Sequence, residues 1–360
     1  MAETIVNPYE VKGDIDYAKL IDQFGAQKVD EKLIKKLKKV PMLFRRQKVF
    51  AHRDFDKLLE NKNFAIVSGR GVSDKIHLGH LSTLRLVKEL QDIYGCFVFI
   101  PFSDDEKYLY SDKIEYENIK KMTYENMLDV VALGFDPKKT KFVSDLQNLP
   151  QELYNLSIRC AKRITVNTVR SLMGFSAETN TGINFYPAMQ AAHILYPTVE
   201  KNLPVVVPVG IDQDAFIKIA RDIASKLGIA KPAGLFCAYL PGLKEGGKMS
   251  SSDPDSTIYT TDTPEIVKKK INKYAFSGGQ ATVEAHRKLG GNPDIDVSYQ
   301  YLTFFLEEDK KLKKIYNDYK SGKLLTGELK AICIETINAF LKKHQKAREV
   351  AKSKLDKFLL

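Results

Sequence analysis

Two strand–turn–helix units, far apart in the chain, constrain this sequence more than any other feature. In the first, Phe64-Ala65-Ile66-Val67 is a short apolar run of buried-strand type, closed by the turn-forming cluster Ser68-Gly69-Arg70-Gly71. Leu78, Leu81, Leu84, Val87 and Leu90 then recur every three residues, the spacing of one helix face, and Gly95 marks the end of that helix. Cys96 to Phe102 is a second apolar strand run. Strand, helix and strand in so short a stretch make a βαβ unit, whose strands must lie parallel because the chain crosses over between them. The second unit starts at Val205-Val206-Val207-Pro208-Val209 and turns at Gly210-Ile211-Asp212-Gln213. It continues as a helix through Ala215, Ile217, Ile219, Ala220 and Ile223. The pair predicts an α/β fold, a Rossmann-type doubly wound parallel sheet split by an insertion. That insertion, roughly 108–204, reads as mostly helical.

The flanks carry less. Residues 1–60 are an N-terminal extension with no evident chemistry, in which Asp30 to Lys39 reads as a short amphipathic helix stopped by Pro41. Residues 61–260 are expected to form the catalytic domain and 261–360 an all-helical domain, with helical segments at 324–341 and 343–358. The net charge of +11 is uneven. From Glu265 onward there are 20 Lys and Arg against 12 Asp and Glu, so most of the excess sits in the last quarter. That distribution suits a polyanionic partner such as nucleic acid, and equally a solvated lysine-rich surface. Cys96, Cys160, Cys237 and Cys333 are scattered without paired spacing, which argues against a disulfide framework or a zinc ribbon. No apolar run approaches the roughly 18 residues of a membrane span, and the first residues lack a secretory pattern. A cytoplasmic protein with no membrane partner is expected.

Two loops carry the chemistry. Gly69 to His80 lies where a strand ends and a helix begins, the place where open α/β sheets bind ligands and where helix N–H groups favour phosphate. His77 and His80 project to one side of that helix, and Gly79 between them leaves room for a flat ring. A metal pair or a surface pair is the plain alternative, but no third ligand cluster exists. The second loop, Gly246-Gly247-Lys248-Met249-Ser250-Ser251-Ser252, offers a point charge and hydroxyl donors. Gly242 to Lys248 fits the spacing of a Walker loop but fails at Met249, where a Ser or Thr should hold magnesium.

His77-Leu78-Gly79-His80 followed by Lys248-Met249-Ser250-Ser251-Ser252 resembles the paired signature of class I aminoacyl-tRNA synthetases. Further stretches are similar to the tryptophan branch of that family in its archaeal and eukaryotic form. They are Ser103 to Tyr108, Tyr186 to Ala192, Gly210 to Asp214, Tyr274 to Gly279 and Tyr301 to Glu307. The resemblance runs from about Phe64 to His344. Tyrosine-charging members hold the phenol hydroxyl at positions that match Val67 and His193, and neither residue reproduces that pair.

The resemblance implies activation of tryptophan by ATP, then transfer of the product to tRNA(Trp). It implies catalytic roles for Lys248, His77 and His80. It places ATP at Arg70, Gly79, Lys107, Gly210, Asp212, Met249, Ser250, Ser251 and Ser252. Glu106 and Gln190 would take the substrate ammonium and Gln213 the indole N–H, which is donor only. Magnesium (Mg2+) would ride on ATP phosphates, with no protein metal site. A homodimer and an anticodon-binding role for 261–360 are also implied. Tyrosine as substrate, a nucleotidylyltransferase sharing the His-x-Gly-His loop, and a non-catalytic RNA-binding relative are the competing readings.

Overall fold

The computed structural model describes residues 5–6, 11–12, 16–61, 63–72, 74–251 and 253–360. They fall into two compact units. The first comprises Met1–Asp74, Thr83–Ala238 and Ala351–Leu360, and the second Lys75–Ser82 and Tyr239–Val350.

The first unit is built on one sheet. Its strands run, in spatial order, Gln27–Lys28, Val49–Arg53, Ala233–Cys237, Val205–Gly210, Ala65–Val67 and Phe97–Ser103. Thr140–Ser144 lies beyond Phe97–Ser103, and Arg70–Gly71 also pairs with that strand. From Ala233–Cys237 to Thr140–Ser144 every pairing is parallel. Ala65 stands opposite both Phe97 and Val205, so the two βα units anticipated from the sequence are direct neighbours. Val49–Arg53 joins the other way, antiparallel to Ala233–Cys237. The central strands are buried on both faces: Ala65, Ile66, Val98, Phe99, Ile100 and Val206 are all fully buried. A strand covered on both sides reads as a continuous apolar run instead of an alternating one, which is the pattern these segments show.

The insertion is helical apart from one strand. Helices Tyr116–Val131, Gln151–Ala161, Val166–Met173 and Thr181–Lys201 account for most of it. Thr181–Lys201 is apolar nearly all round and packs Ile183, Met189, Ala192 and Leu195 into the same core as Val205, Val207, Phe216 and Ala220. The strand Thr140–Ser144 was not evident from periodicity, being short and interrupted by the half-buried Lys141. Its free edge is covered by the chain terminus. Phe142 N–H donates to the Phe358 carbonyl at 2.7 Å and Leu360 N–H donates to the Phe142 carbonyl at 3.0 Å. Covering an edge in this way removes a template for pairing with other chains.

The amphipathic segment near the start is helical over Glu31–Lys36, capped by Asp30, whose carboxylate accepts from Leu33 N–H at 2.8 Å. It stops before Lys39 because Leu37 is extended. In the second unit, helices Pro264–Tyr274, Val283–Leu289, Val297–Phe305 and Asp309–Lys320 lead into Thr326–Ala351. The two expected segments at 324–341 and 343–358 are therefore mostly one helix, followed by a short turn at Leu355–Lys357. Asp296, fully buried, organises this part of the chain. Its carboxylate accepts from Gly278 N–H at 3.0 Å, Ser298 N–H at 2.9 Å and the Tyr319 hydroxyl at 2.8 Å. All four cysteines are free and buried, and burial pushes the thiols of Cys96 and Cys237 up to about 12. Among the described residues no helix is long and apolar enough to cross a membrane.

The helix Asp214–Leu227 follows the second turn and is fixed at its start by an ion pair. The Arg53 guanidinium donates to both Asp214 oxygens, at 3.2 and 2.8 Å, and Asp214 is fully buried. Removing one partner of a buried pair leaves an uncompensated charge, which costs about 3–5 kcal/mol. Lys218, 3.1 Å away, retains part of the compensation. Arg53→Met is expected to lower unfolding stability by about 2–3 kcal/mol, measured by urea denaturation; a loss below about 0.5 kcal/mol would show that Lys218 alone suffices.

Candidate active site

In the second unit, the first signature is bonded through its backbone to residues 258–260, the segment that follows the second loop. His77 and Tyr259 form an antiparallel bridge. On either side of it Leu78 N–H donates to the Ile258 carbonyl and Thr260 N–H donates to the Ile76 carbonyl, both at 3.0 Å. The second loop is anchored in turn. Pro241 and Lys248 form another antiparallel bridge, and Met249 N–H donates to the Leu240 carbonyl at 3.0 Å. The Thr257 hydroxyl donates to the Ser250 carbonyl at 2.6 Å and the Tyr259 hydroxyl to the Ser251 carbonyl at 3.3 Å.

Gly79 sits where these pieces converge. A Cβ there would stand 3.0 Å from both Cε1 and Nδ1 of His77 and 3.5 Å from Cβ of Met249. The Met249 distance is ordinary contact, but the His77 ring would have to shift by a few tenths of an ångström to admit a side chain here. The imidazoles of His77 and His80 stack with centroids 3.5 Å apart and planes 24° apart. His77 and Met249 are buried, whereas His80, Lys248, Ser250 and Ser251 are half-buried. The Lys248 ammonium lies 5.3 Å above the Tyr239 ring, a cation held over an aromatic face. Gly246 and Gly247 both take positive φ, at 78° and 77°, a conformation that favours glycine and shapes the exposed bend before Lys248. Ser252 lies outside the described residues.

The first unit holds the other expected residues. Ala65–Val67 and Val205–Gly210 are parallel neighbours, so their carboxyl ends open on the same edge of the sheet. The turn after Ala65–Val67 is backed closely. A Cβ on Gly69 would lie 3.4 Å from Pro101 Cγ and 3.8 Å from Gln190 Nε2. One on Gly71 would meet Lys107 Cε at 2.9 Å and Glu106 Oε2 at 3.0 Å. The glycines therefore let Glu106, Lys107 and Gln190 approach the turn. Glu106 is buried and pairs with Lys107 at 3.2 Å. After Val205–Gly210, Asp212 is buried in a short turn of helix and accepts from Gln213 Nε2 at 3.1 Å.

Arg70 is buried, and its Nε donates to Asn126 Oδ1 at 3.1 Å. A second nitrogen donates to the Gly71 carbonyl, and Nη2 has no hydrogen-bond partner among the described residues. Burial lowers its pKa to about 10, opposed by Asp74, Glu106 and Asp129, so it stays charged at neutral pH. Asn126 also donates to the Asp74 carbonyl at 3.1 Å.

Behind these residues lies a polar layer that sequence reasoning did not find. Asp104, fully buried, accepts from Thr123 Oγ1 at 3.1 Å, Ser144 Oγ at 2.5 Å and Leu146 N–H at 3.0 Å. Carboxylate oxygens of Asp104, Asp105 and Asp145 lie within 4.8 Å of one another. Asp145 pairs with His193 Nε2 at 2.8 Å, and His193 Nδ1 lies 3.3 Å from Gln190 Oε1. The Tyr186 hydroxyl donates to that same oxygen at 2.8 Å. Burial holds His193 down to about 4, so it is neutral near pH 7. Burial also pushes the carboxyls of Asp145 and Asp105 well above the usual range, and for Asp105 the neighbouring Asp145 adds to the effect. The sequence offered Asp104 and Asp105 within the stretch Ser103 to Tyr108 and His193 as a position of comparison, but not their mutual contacts.

Comparison with known proteins places this geometry. The family model for class I tRNA synthetases (W and Y) matches residues 59–342. The Sulfolobus acidocaldarius protein named "Tryptophan--tRNA ligase" is 44% identical over 98% of this chain and 94% of its own length. The Saccharomyces cerevisiae protein named "Tryptophan--tRNA ligase, cytoplasmic" is 41% identical over 99% of this chain and 89% of its own. A crystal structure of a tryptophanyl-tRNA synthetase from Encephalitozoon cuniculi bound to tryptophan superposes with a TM-score of 0.88 at 36% identity, covering 97% of this chain and 99% of that one. With a parallel α/β sheet of the kind those enzymes share, and relatives of this name along nearly its whole length, the chain belongs to the class I aminoacyl-tRNA synthetases, on their tryptophan–tRNA ligase branch.

Proposed function

We propose that this enzyme joins tryptophan to tRNA(Trp) in two steps. The observation that carries the reading is that the first signature is bridged, His77 on Tyr259, to the segment whose side chains hold the second loop, with Met249 beside Gly79. In the first step a carboxylate oxygen of tryptophan attacks the α-phosphorus of ATP. The bond to the β-phosphate oxygen breaks, and pyrophosphate leaves with that electron pair. In the second, the 2′-hydroxyl oxygen of the terminal adenosine attacks the acyl carbon, AMP leaves, and the hydroxyl proton is released. Such transfers ask the protein for positioning and charge stabilisation, not for a side-chain nucleophile.

The residues fit these tasks. Lys248 supplies positive charge to the departing pyrophosphate, from a loop bounded by Gly246 and Gly247 that can close over it. His77 and His80 order the phosphates, and Gly79 contributes its backbone at the helix start to the ATP site. Met249 contributes by packing on Gly79, while Ser250, Ser251 and Ser252 complete the ATP loop. Gly210 and Asp212 face the ribose, with Arg70 and Lys107 as supporting phosphate charges. Glu106 and Gln190 take the ammonium. Gln213, whose Nε2 donates to Asp212, is the residue assigned to accept from the indole N–H. Val67 has no polar atom in its side chain and His193 is tied to Asp145, so neither is placed to receive a phenol hydroxyl.

The described carboxylates suit an ATP-borne magnesium and not a protein cage. The one group of three, Asp104, Asp105 and Asp145, is engaged with Thr123, Ser144, Leu146 and His193. Magnesium would neutralise phosphate charge through phosphate oxygens. A cytoplasmic homodimer whose basic helical region, 261–360, binds the anticodon arm completes the proposal, supported by the charge of the last quarter.

ATP–pyrophosphate exchange should proceed with tryptophan and stay at background with tyrosine; tyrosine-dependent exchange would reassign the substrate. Lys248→Ala should cut kcat for exchange by about 10²–10³ while the tryptophan KM moves less than about threefold. Equal loss in both parameters would remove Lys248 from the chemical step. Gln213→Ala should raise the tryptophan KM about tenfold, the cost of one lost hydrogen bond; an unchanged KM would place the indole N–H elsewhere.

A further inference from the structure

Lys270 belongs to the basic last quarter of the chain, yet it faces inward. It sits on the helix Pro264–Tyr274, and its side chain is only 14% exposed. The ammonium donates to the Thr257 carbonyl at 2.7 Å and to Asp262 Oδ2 at 2.8 Å, and it lies 5.0 Å from the centre of the Tyr259 ring. Asp262 is buried as well, and the same oxygen accepts from Tyr259 N–H at 3.1 Å. Thr257 and Tyr259 are also the two residues whose hydroxyls hold the second loop. Thr257 Oγ1 donates to the Ser250 carbonyl at 2.6 Å and the Tyr259 hydroxyl to the Ser251 carbonyl at 3.3 Å. They stand two residues apart with the fully buried Ile258 between them, the spacing of one side of an extended segment. One ammonium therefore meets both residues that grip the loop.

We propose that Lys270 is a positioning residue: by bracing Thr257 and Tyr259 it fixes the backbone at Ser250 and Ser251, and with it the place of Lys248 just before them. This rests on the assignment of Lys248 to the departing pyrophosphate made above. Lys270 touches no substrate in this scheme, and its charge is balanced by Asp262 beside it. What it supplies is geometry. A lysine ammonium carries three donors, and here it binds a backbone carbonyl and a carboxylate from one segment while lying by an aromatic ring of the same segment. The braced side of the loop is the side that does not move freely. Lys244 to Gly247, on the other side of Lys248, are exposed, so closure can pivot on a held end. Without the brace the hydroxyls of Thr257 and Tyr259 lose their fixed origin, and Lys248 reaches the phosphates in fewer of its positions.

The test uses the full-length enzyme and two readouts, kcat for ATP–pyrophosphate exchange and the binding of tryptophan. The chain contains no tryptophan, so the fluorescence of the substrate itself reports its binding. Two variants are compared. Lys270→Met combined with Asp262→Asn removes the brace without stranding a buried charge. Thr257→Val keeps the ion pair and deletes only the hydroxyl that holds Ser250. Each should cut kcat about tenfold, the effect of one lost hydrogen bond, and leave tryptophan binding within about twofold. Placed on Lys248→Ala, each should cost less than about twofold more, because the loop then has no charge to position. An unchanged kcat in the Lys270 variant, matching losses in kcat and in tryptophan binding, or a full tenfold loss on top of Lys248→Ala overturns the proposal. Lys248→Ala alone separates this from the underlying assignment. If it leaves kcat unmoved, the reading of Lys248 falls; if it lowers kcat while the Lys270 variant is silent, only the role of Lys270 falls.

Discussion

The antiparallel bridge between His77 and Tyr259, with its flanking bonds from Leu78 to Ile258 and from Thr260 to Ile76, is the constraint on which the signature chemistry depends. It is made of backbone groups, so it fixes position without using any side chain that has to meet ATP. Met249 lies beside Gly79 at ordinary packing distance, and the His77 ring stands closer. Lys248 is thereby presented from the edge of an anchored strand end. Its loop is exposed on one side, at Lys244 to Gly247, and bonded on the other, from Met249 to Ser251. That combination suits a loop that must move while its ends stay registered.

The first unit solves a different problem with a different device. Its central strands are covered on both faces and are apolar runs. Buried polar groups gather near the carboxyl ends of these strands and in a layer beside them. Asp104 in that layer is fully satisfied and ties the start of its helix to Thr123, Ser144 and Leu146. Burial raises the carboxyls of Asp145 and Asp105 above their usual range and lowers His193. A buried network is stiff when each member has a partner, and costly when one is missing. The layer meets Gln190 through His193 Nδ1, 3.3 Å from Oε1.

Much of this was legible in the residues themselves. The two βα units and their parallel pairing follow from the runs at Phe64–Val67, Cys96–Phe102 and Val205–Val209 with the turns and helix periods beside them. Those runs are long enough and apolar enough to admit one reading. The strand Thr140–Ser144 was not legible, because a five-residue edge strand containing a lysine carries almost no period. Its burial comes from Phe358 and Leu360, more than two hundred residues further on, and no local window contains that information.

The sequence by itself determined the fold class and the identity of the residues at the two loops. Periodicity and turn chemistry are local properties, and the paired signature is a matter of order along the chain. Only the tertiary structure decided which groups touch. It joined His77 to Tyr259, set Gly71 against Glu106 and Lys107, and placed His193 between Asp145 and Gln190. The physical reason is that hydrogen-bond partnership and the protonation of buried groups depend on distance and desolvation. Both are fixed only when segments remote in sequence are packed together.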